Sequence, residues 1–279
     1  MKENIFKFYE PTPESCFRSS ILIGDNDKCY KFAPSDVTFA NCDRCYYLNK
    51  KFGIKYEKPF PGVFSTLDVS QKKYFINMKT GDFVPQLPNG RFFTTPSADL
   101  KKSRKKEKEE EIKIKNLELP GTIISGTLKD NKSRDFYLIG KPDLVIKFDE
   151  KGYGIMDFKT TTEEDKTQGY RFQLEAYAQI FENPGELKSS KTPELSPITH
   201  LGLIQFTPKN IYKHDNEMFQ QNFKINYYPL IRNKESVEDF FNQITRLIDI
   251  LEQVKSPERK PDCKICSDYE RNLIVEGSS

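Results

Sequence analysis

The chain lacks tryptophan, has only two histidines, and contains no apolar run of the roughly 18 residues that a membrane-spanning helix requires. The missing run leaves no candidate for a spanning helix. His200 and His214, with no third histidine and no Glu-x-x-His pattern, argue against a histidine-based zinc hydrolase. Without tryptophan, the large groups of the core must come from 22 Phe and 14 Tyr. A strong charge of one sign is also missing. The net charge is +3, so any nucleic-acid contact must come from a local patch. The first residues, Met-Lys-Glu-Asn-Ile-Phe-Lys-Phe-Tyr-Glu, have no apolar signal-peptide core, and a cytoplasmic location is the expectation. With 279 residues there is enough chain for one large domain. We expect an extension over 1–33, a main domain over 34–270 with a charged insertion around 97–116, and a tail over 271–279.

The stretch 140–160 organises the rest. Lys141–Phe148 and Tyr153–Thr160 are rich in β-branched and aromatic residues, and the Asp-Glu-Lys-Gly between them suits a tight turn with Gly152 at positive φ. This predicts a β-hairpin. Asp157 and Lys159 are two apart and share one face of their strand. Asp143 sits opposite Phe158 if the loop has two residues, and opposite Asp157 if there is a bulge or a three-residue loop. In the second register two carboxylates and an ammonium converge. Like charges held close need a counter-charge, and a hard divalent cation that prefers oxygen ligands supplies one.

Pro142-Asp143 followed by Asp157-Phe158-Lys159 resembles the signature of the PD-(D/E)XK nuclease superfamily. Gln173-Leu-Glu-Ala-Tyr177 is similar to the Gln-xxx-Tyr helix motif of its RecB-like branch, which includes the AddB and CRISPR-associated nucleases. The resemblance implies an α/β fold of restriction-endonuclease type, a central mixed sheet flanked by helices. It implies a Mg²⁺- or Mn²⁺-dependent deoxyribonuclease, acting as an exonuclease on single-stranded DNA or DNA ends in repair or processing, with a helicase or repair partner. Asp143, Asp157 and the Phe158 carbonyl would hold the ion. Lys159 would activate the attacking water and stabilise charge on the phosphate, and Gln173 and Tyr177 would support the site. Asp68, on a helix expected over Ser65–Phe75, reads either as a third metal-site acid or as a solvated helix position. The competing reading of the whole pattern is a catalytically inactive nucleic-acid-binding module on the same fold.

Two Cys-x2-Cys pairs, Cys42/Cys45 and Cys263/Cys266, supply the four thiolates that a tetrahedral zinc or an iron–sulfur cluster requires. In a cytosolic chain this spacing favours metal over disulfides. The RecB-like resemblance implies a 4Fe–4S cluster, but that branch usually places one cysteine before the nuclease motifs and three after, against two and two here. Zinc and the cluster both stay open. Either would staple an N-terminal helix to the C-terminal segment. Cys16 and Cys29 are placed outside the main site.

The remaining chain supplies the frame. Pro34-Ser35-Asp36 reads as a helix start capped by Ser35 or Asp36, leading through Val37, Tyr47, Leu48 and Phe52. The run 101–111, basic then acidic, reads as a solvated helix or linker, because its acids cancel the field of its bases. Thr122–Ser125 and Asp135–Ile139 read as strands, and Gly169–Glu182 as a helix capped by Thr167. Residues 183–197 read as loop, His200–Phe206 as a buried strand, 208–221 as a polar loop and Phe223–Leu230 as a strand. A final amphipathic helix capped by Ser236 runs from Val237 to Val254.

Overall fold

The structure, a computed structural model, describes residues 21–24, 27–39, 42–54, 62–75, 78–93, 119–161, 167–187, 190–214 and 219–267. Cys16, the run 101–111 and the tail 271–279 lie outside them.

Two sheets form the frame. In the first, β1 (Ile21–Gly24) pairs antiparallel with β2 (Asp27–Phe32), which runs parallel to β6 (Asp135–Gly140). Short β4 (Ile123–Ile124) and β5 (Leu128–Lys129) pair antiparallel with β6. The second sheet has the order β12-β11-β8-β7-β3, with β3 (Gly90–Phe92), β7 (Leu144–Phe148), β8 (Tyr153–Thr160), β11 (Ile198–Lys213) and β12 (Phe219–Leu230). All neighbours are antiparallel except β8 and β11. That parallel pair needs a crossover, and helix α5 (Arg171–Glu182) lies on it. Helices α1 (Pro34–Phe39), α2 (Asp43–Phe52), α3 (Gly62–Phe75), α4 (Thr80–Phe83) and α6 (Lys234–Glu252) complete the expected α/β architecture of mixed sheets flanked by helices.

Strand periodicity divides the core in two. Val145, Ile155, Leu201 and Leu203 face one way, onto Leu174 and Phe181 of α5 and Phe240, Ile244, Leu247 and Ile248 of α6. Leu144, Ile146, Met156, Phe158, Ile204 and Phe206 face the other way, onto Phe75 of α3 and Phe83 of α4. Phenylalanine supplies the volume here that tryptophan does not. Phe75 stacks on Phe83 with centroids 3.9 Å apart, and Phe158 meets Phe206 edge-on at 5.2 Å. At Gly90 a Cβ would lie 2.5 Å from the Lys147 carbonyl oxygen, so only glycine lets β3 close on β7 there.

Several expectations need correction. The first helical stretch is two helices, α1 and α2, with Cys42 at the N-cap of the second. Pro34 opens α1, and Asp36 turns back to accept the Ala33 N–H at 2.8 Å. Helix α3 starts at Gly62 rather than Ser65. Thr167–Tyr170 is a 3-10 turn, and α5 begins after it with no side-chain cap. The cap of α6 is Asn233, whose Oδ1 accepts the Ser236 N–H at 2.8 Å while Ser236 Oγ accepts the Asn233 N–H at 2.9 Å. Val254 lies past the end of α6 and is 94% exposed. Within 183–197, Glu186–Leu187 (β9) and Ser190–Lys191 (β10) form a small ribbon. Most of the polar stretch 208–221 is strand: β11 and β12 run past the end of β8 as a two-stranded arm. Its residues face solvent on both sides, so no apolar alternation marks it.

Candidate active site and cysteine centre

The turn of the 140–160 hairpin decides where its acids fall. Gly152 adopts φ +85°, and the β7–β8 ladder pairs Leu144 with Met156 and Lys147 with Tyr153. Continued by one residue, that register sets Asp143 opposite Asp157, the second of the two alternatives. Asp143 Oδ2 accepts the Phe158 N–H at 3.3 Å, so its side chain bridges to the strand carrying Asp157 and Lys159.

Asp157 is buried, 3% exposed. Its Oδ1 accepts from Gln173 Nε2 at 3.2 Å, and its Oδ2 faces the Lys159 ammonium. Burial, reinforced by the charge of Asp143, pushes the Asp157 carboxyl up to about 7, against the pull of Lys159. Burial alone would lower the Lys159 ammonium, but Asp157 and Asp143 outweigh it and raise it. Lys159 Nζ also sits 4.7 Å from the centroid of the Tyr170 ring. Tyr177 donates its hydroxyl to the Lys141 carbonyl at 2.6 Å, fixing the chain just before Pro142-Asp143. Burial, with Asp143 and Asp157 nearby, raises the phenol of Tyr177 and keeps it a donor.

The structure therefore brings Asp143, Asp157, Lys159 and Gln173 together, with Tyr177 anchoring the turn. Asp68 joins them through a residue the sequence reading missed. Lys72, one helical turn on from Asp68 in α3, donates to Asp68 Oδ2 at 2.9 Å and to Asp143 Oδ1 at 2.7 Å. Burial would lower its ammonium, but Asp143 and Asp68 reverse that and raise it. The i,i+4 spacing signals the local pair with Asp68. Nothing local signals Asp143, which is 71 residues away and reached only because α3 docks on the sheet.

An oxygen-only donor set, with the buried Asp157 carboxylate held beside that of Asp143, suits a hard divalent cation. Asp143 and Asp157 are the residues able to hold one, with Asp68 on their border.

The second centre lies between α2 and the C-terminal segment. The sulfurs of Cys42, Cys45, Cys263 and Cys266 all lie within 4.8 Å of one another. Burial would raise the Cys42 thiol, but the backbone N–H groups of Lys260 and Cys45 draw it down to about 7. Burial and neighbouring sulfur push Cys45 well up and Cys266 to about 11. Four such groups cannot all ionise without a cation among them. Cys29 lies on β2 opposite Asp135 and takes no part.

The model of the PD-(D/E)XK nuclease superfamily matches residues 91–268, well over half of the chain and the whole of the hairpin and α5. The chain belongs to the PD-(D/E)XK nuclease superfamily. No curated protein matches it. Among solved structures, the crystal structure of SSO0001 aligns over 85% of this chain and 82% of that one, at 12% identity and a TM-score of 0.36. That likeness is too loose to carry structure or function across. In this PD-(D/E)XK chain, no helix among the described residues is long and apolar enough to cross a membrane.

Proposed function

We propose that this PD-(D/E)XK chain is a RecB-like deoxyribonuclease that uses Mg²⁺ or Mn²⁺, works as an exonuclease on single-stranded DNA or DNA ends, and serves DNA repair or processing beside a helicase or repair partner. The observation that carries this reading is the register that sets Asp143 beside Asp157 and Lys159. Asp143 and Asp157 would hold the cation, with the Phe158 carbonyl and Asp68 nearby. When bound, the ion would polarise a phosphate oxygen and make water a better nucleophile at neutral pH. The rest falls to the chain's own groups. Lys159, held by Asp157 and the Tyr170 ring, places its ammonium where charge builds on the phosphate. Gln173 holds Asp157 Oδ1 and so orients the carboxylate, whose Oδ2 faces Lys159. Tyr177 fixes the Pro142-Asp143 turn from beneath.

The test is purified protein with Mg²⁺ or Mn²⁺ on single- and double-stranded DNA. Metal-dependent cleavage that drops at least about a hundredfold in Lys159→Ala is the expected result. No cleavage by the wild type, or cleavage that survives the substitution, removes the enzyme reading.

One observation favours a second reading, a binding module without catalysis: the acids already meet two ammonium groups, Lys72 and Lys159. Removing one of them separates the two readings. If the site takes a cation, Lys72→Met deletes a competing positive charge, and Mn²⁺ affinity measured by electron paramagnetic resonance on DNA-free protein should rise roughly fivefold. A degenerate site shows no Mn²⁺ binding in either protein.

A further inference from the structure

We propose that Cys42, Cys45, Cys263 and Cys266 hold a single tetrahedral zinc ion rather than an iron–sulfur cluster. The distances between the sulfurs carry the proposal. Cys45 Sγ lies 3.3 Å from Cys266 Sγ and 3.6 Å from Cys263 Sγ, and Cys42 Sγ lies 3.7 Å from Cys266 Sγ. No pair of the four is more than 4.8 Å apart. A zinc–sulfur bond of about 2.3 Å in a regular tetrahedron puts sulfurs about 3.8 Å from one another. A 4Fe–4S cluster gives each thiolate its own iron, and a 2Fe–2S cluster gives two thiolates to each, so some or all pairs stand roughly 6 Å or more apart. The four sulfurs enclose room for one ion. The separations also exceed the S–S bond of about 2.05 Å, so the cysteines are not disulfide-bonded.

Both walls of the site are fixed by contacts that do not involve sulfur. On one side, Cys42 is the N-cap of α2 and Cys45 sits in its first turn. That helix is tied to the end of α6 by the Tyr47 hydroxyl, which donates to the Gln253 and Val254 carbonyls at 3.3 and 3.2 Å. Lys51 Nζ reaches the Gln253 carbonyl at 2.6 Å, and Arg246 pairs with Asp43. On the other side, the Cys263 N–H donates to the Lys260 carbonyl at 3.0 Å and the Ser267 N–H to the Cys263 carbonyl at 3.1 Å, which turns Cys266 back toward Cys263. Cys42 and Cys266 are buried, so the ion would be closed off from solvent on two of its four corners. With four protein ligands and no open position, such a site is structural. The proposal does not depend on the nuclease reading.

The full-length protein, expressed with both iron and zinc in the medium, is assayed by plasma mass spectrometry and for acid-labile sulfide. One zinc per chain, no labile sulfide and a colourless solution are expected. Cobalt(II) exchanged into the wild-type protein should give the visible bands and sulfur-to-metal charge transfer of tetrahedral thiolate coordination, and this measurement stands even if Cys266→Ser fails to fold. Labile sulfide with two or more irons per chain overturns the proposal. So does a single iron, or a metal-free native protein whose four thiols all react at once with Ellman's reagent.

Discussion

Asp157→Asn should lower cleavage about a thousandfold and, in the same protein without metal, raise thermal stability at neutral and alkaline pH. The two effects have one cause. Asp157 is buried with Asp143 nearby, and together these hold its carboxyl up at about 7 instead of the ordinary 3.8. Between about pH 4 and pH 7 the folded protein therefore binds more protons at this residue than the unfolded chain does. The contribution of Asp157 to stability is most favourable below pH 4, falls as pH rises through that window, and is fully unfavourable above 7. Asparagine has no such titration, and it keeps a side-chain oxygen to accept from Gln173. The check is to melt both proteins in chelator from pH 5 to pH 8 and to assay cleavage with metal. The wild-type midpoint should decline relative to the variant as pH rises, and added Mg²⁺ should recover the wild type only. Equal slopes would mean that Asp157 is not strained by burial. Undiminished cleavage would mean that it is not at the reacting centre.

The largest stability loss is expected from Arg232→Met. The guanidinium of Arg232 grips two carboxylates at once, Glu175 at 2.9 and 3.0 Å and Glu182 at 2.6 and 2.8 Å, and its Nη1 also donates to the Ile198 carbonyl at 3.1 Å. Glu175 is 3% exposed and has Gln179 as its other donor, at 2.8 Å. Methionine keeps the bulk but leaves a buried carboxylate without its cation, at a cost of about 3–5 kcal/mol. For a chain of this size that lowers the melting midpoint by roughly 10 °C. Arg232 follows β12 and holds α5, the helix that carries Gln173, so Gln173 should also loosen from Asp157. Adding Glu175→Gln to Arg232→Met should return part of the loss, because the stranded charge is then gone. A drop below about 2 °C, or no recovery in the double variant, would show that the cluster is not a structural clamp.

The parts of the site that were readable in the sequence are those where chemistry and structure are local. The hairpin spans about twenty residues, its turn is marked by Gly152, and its motif residues lie on adjacent strands. Even so, the sequence left two registers open, and only the ladder chose the one that aligns Asp143 with Asp157. Gln173 was legible from its motif, but its partner, Asp157 Oδ1, was not. Lys72 was invisible because its meaning depends on α3 docking against a sheet formed much later in the chain. The arm of β11 and β12 reads as loop in the sequence for a different reason. Alternation reports a strand only when one face is buried, and here neither is. The cysteine spacing pointed to metal, but whether one ion or a cluster fits is a matter of distances that no spacing encodes. The cap of α6 was displaced by three residues because Asn233 and Ser236 form a reciprocal pair and either can look like the first member.

The contacts between α2 and α6 also bear on biosynthesis. Tyr47 and Asp43 emerge from the ribosome some 206 and 203 residues ahead of Gln253 and Arg246, their partners. Until Arg246 and Gln253 have been translated, α2 cannot make these contacts, although Lys50 can already pair with Asp36 of α1. The hairpin of β7 and β8 can form before that moment, so the α2–α6 contacts should be among the last to be made.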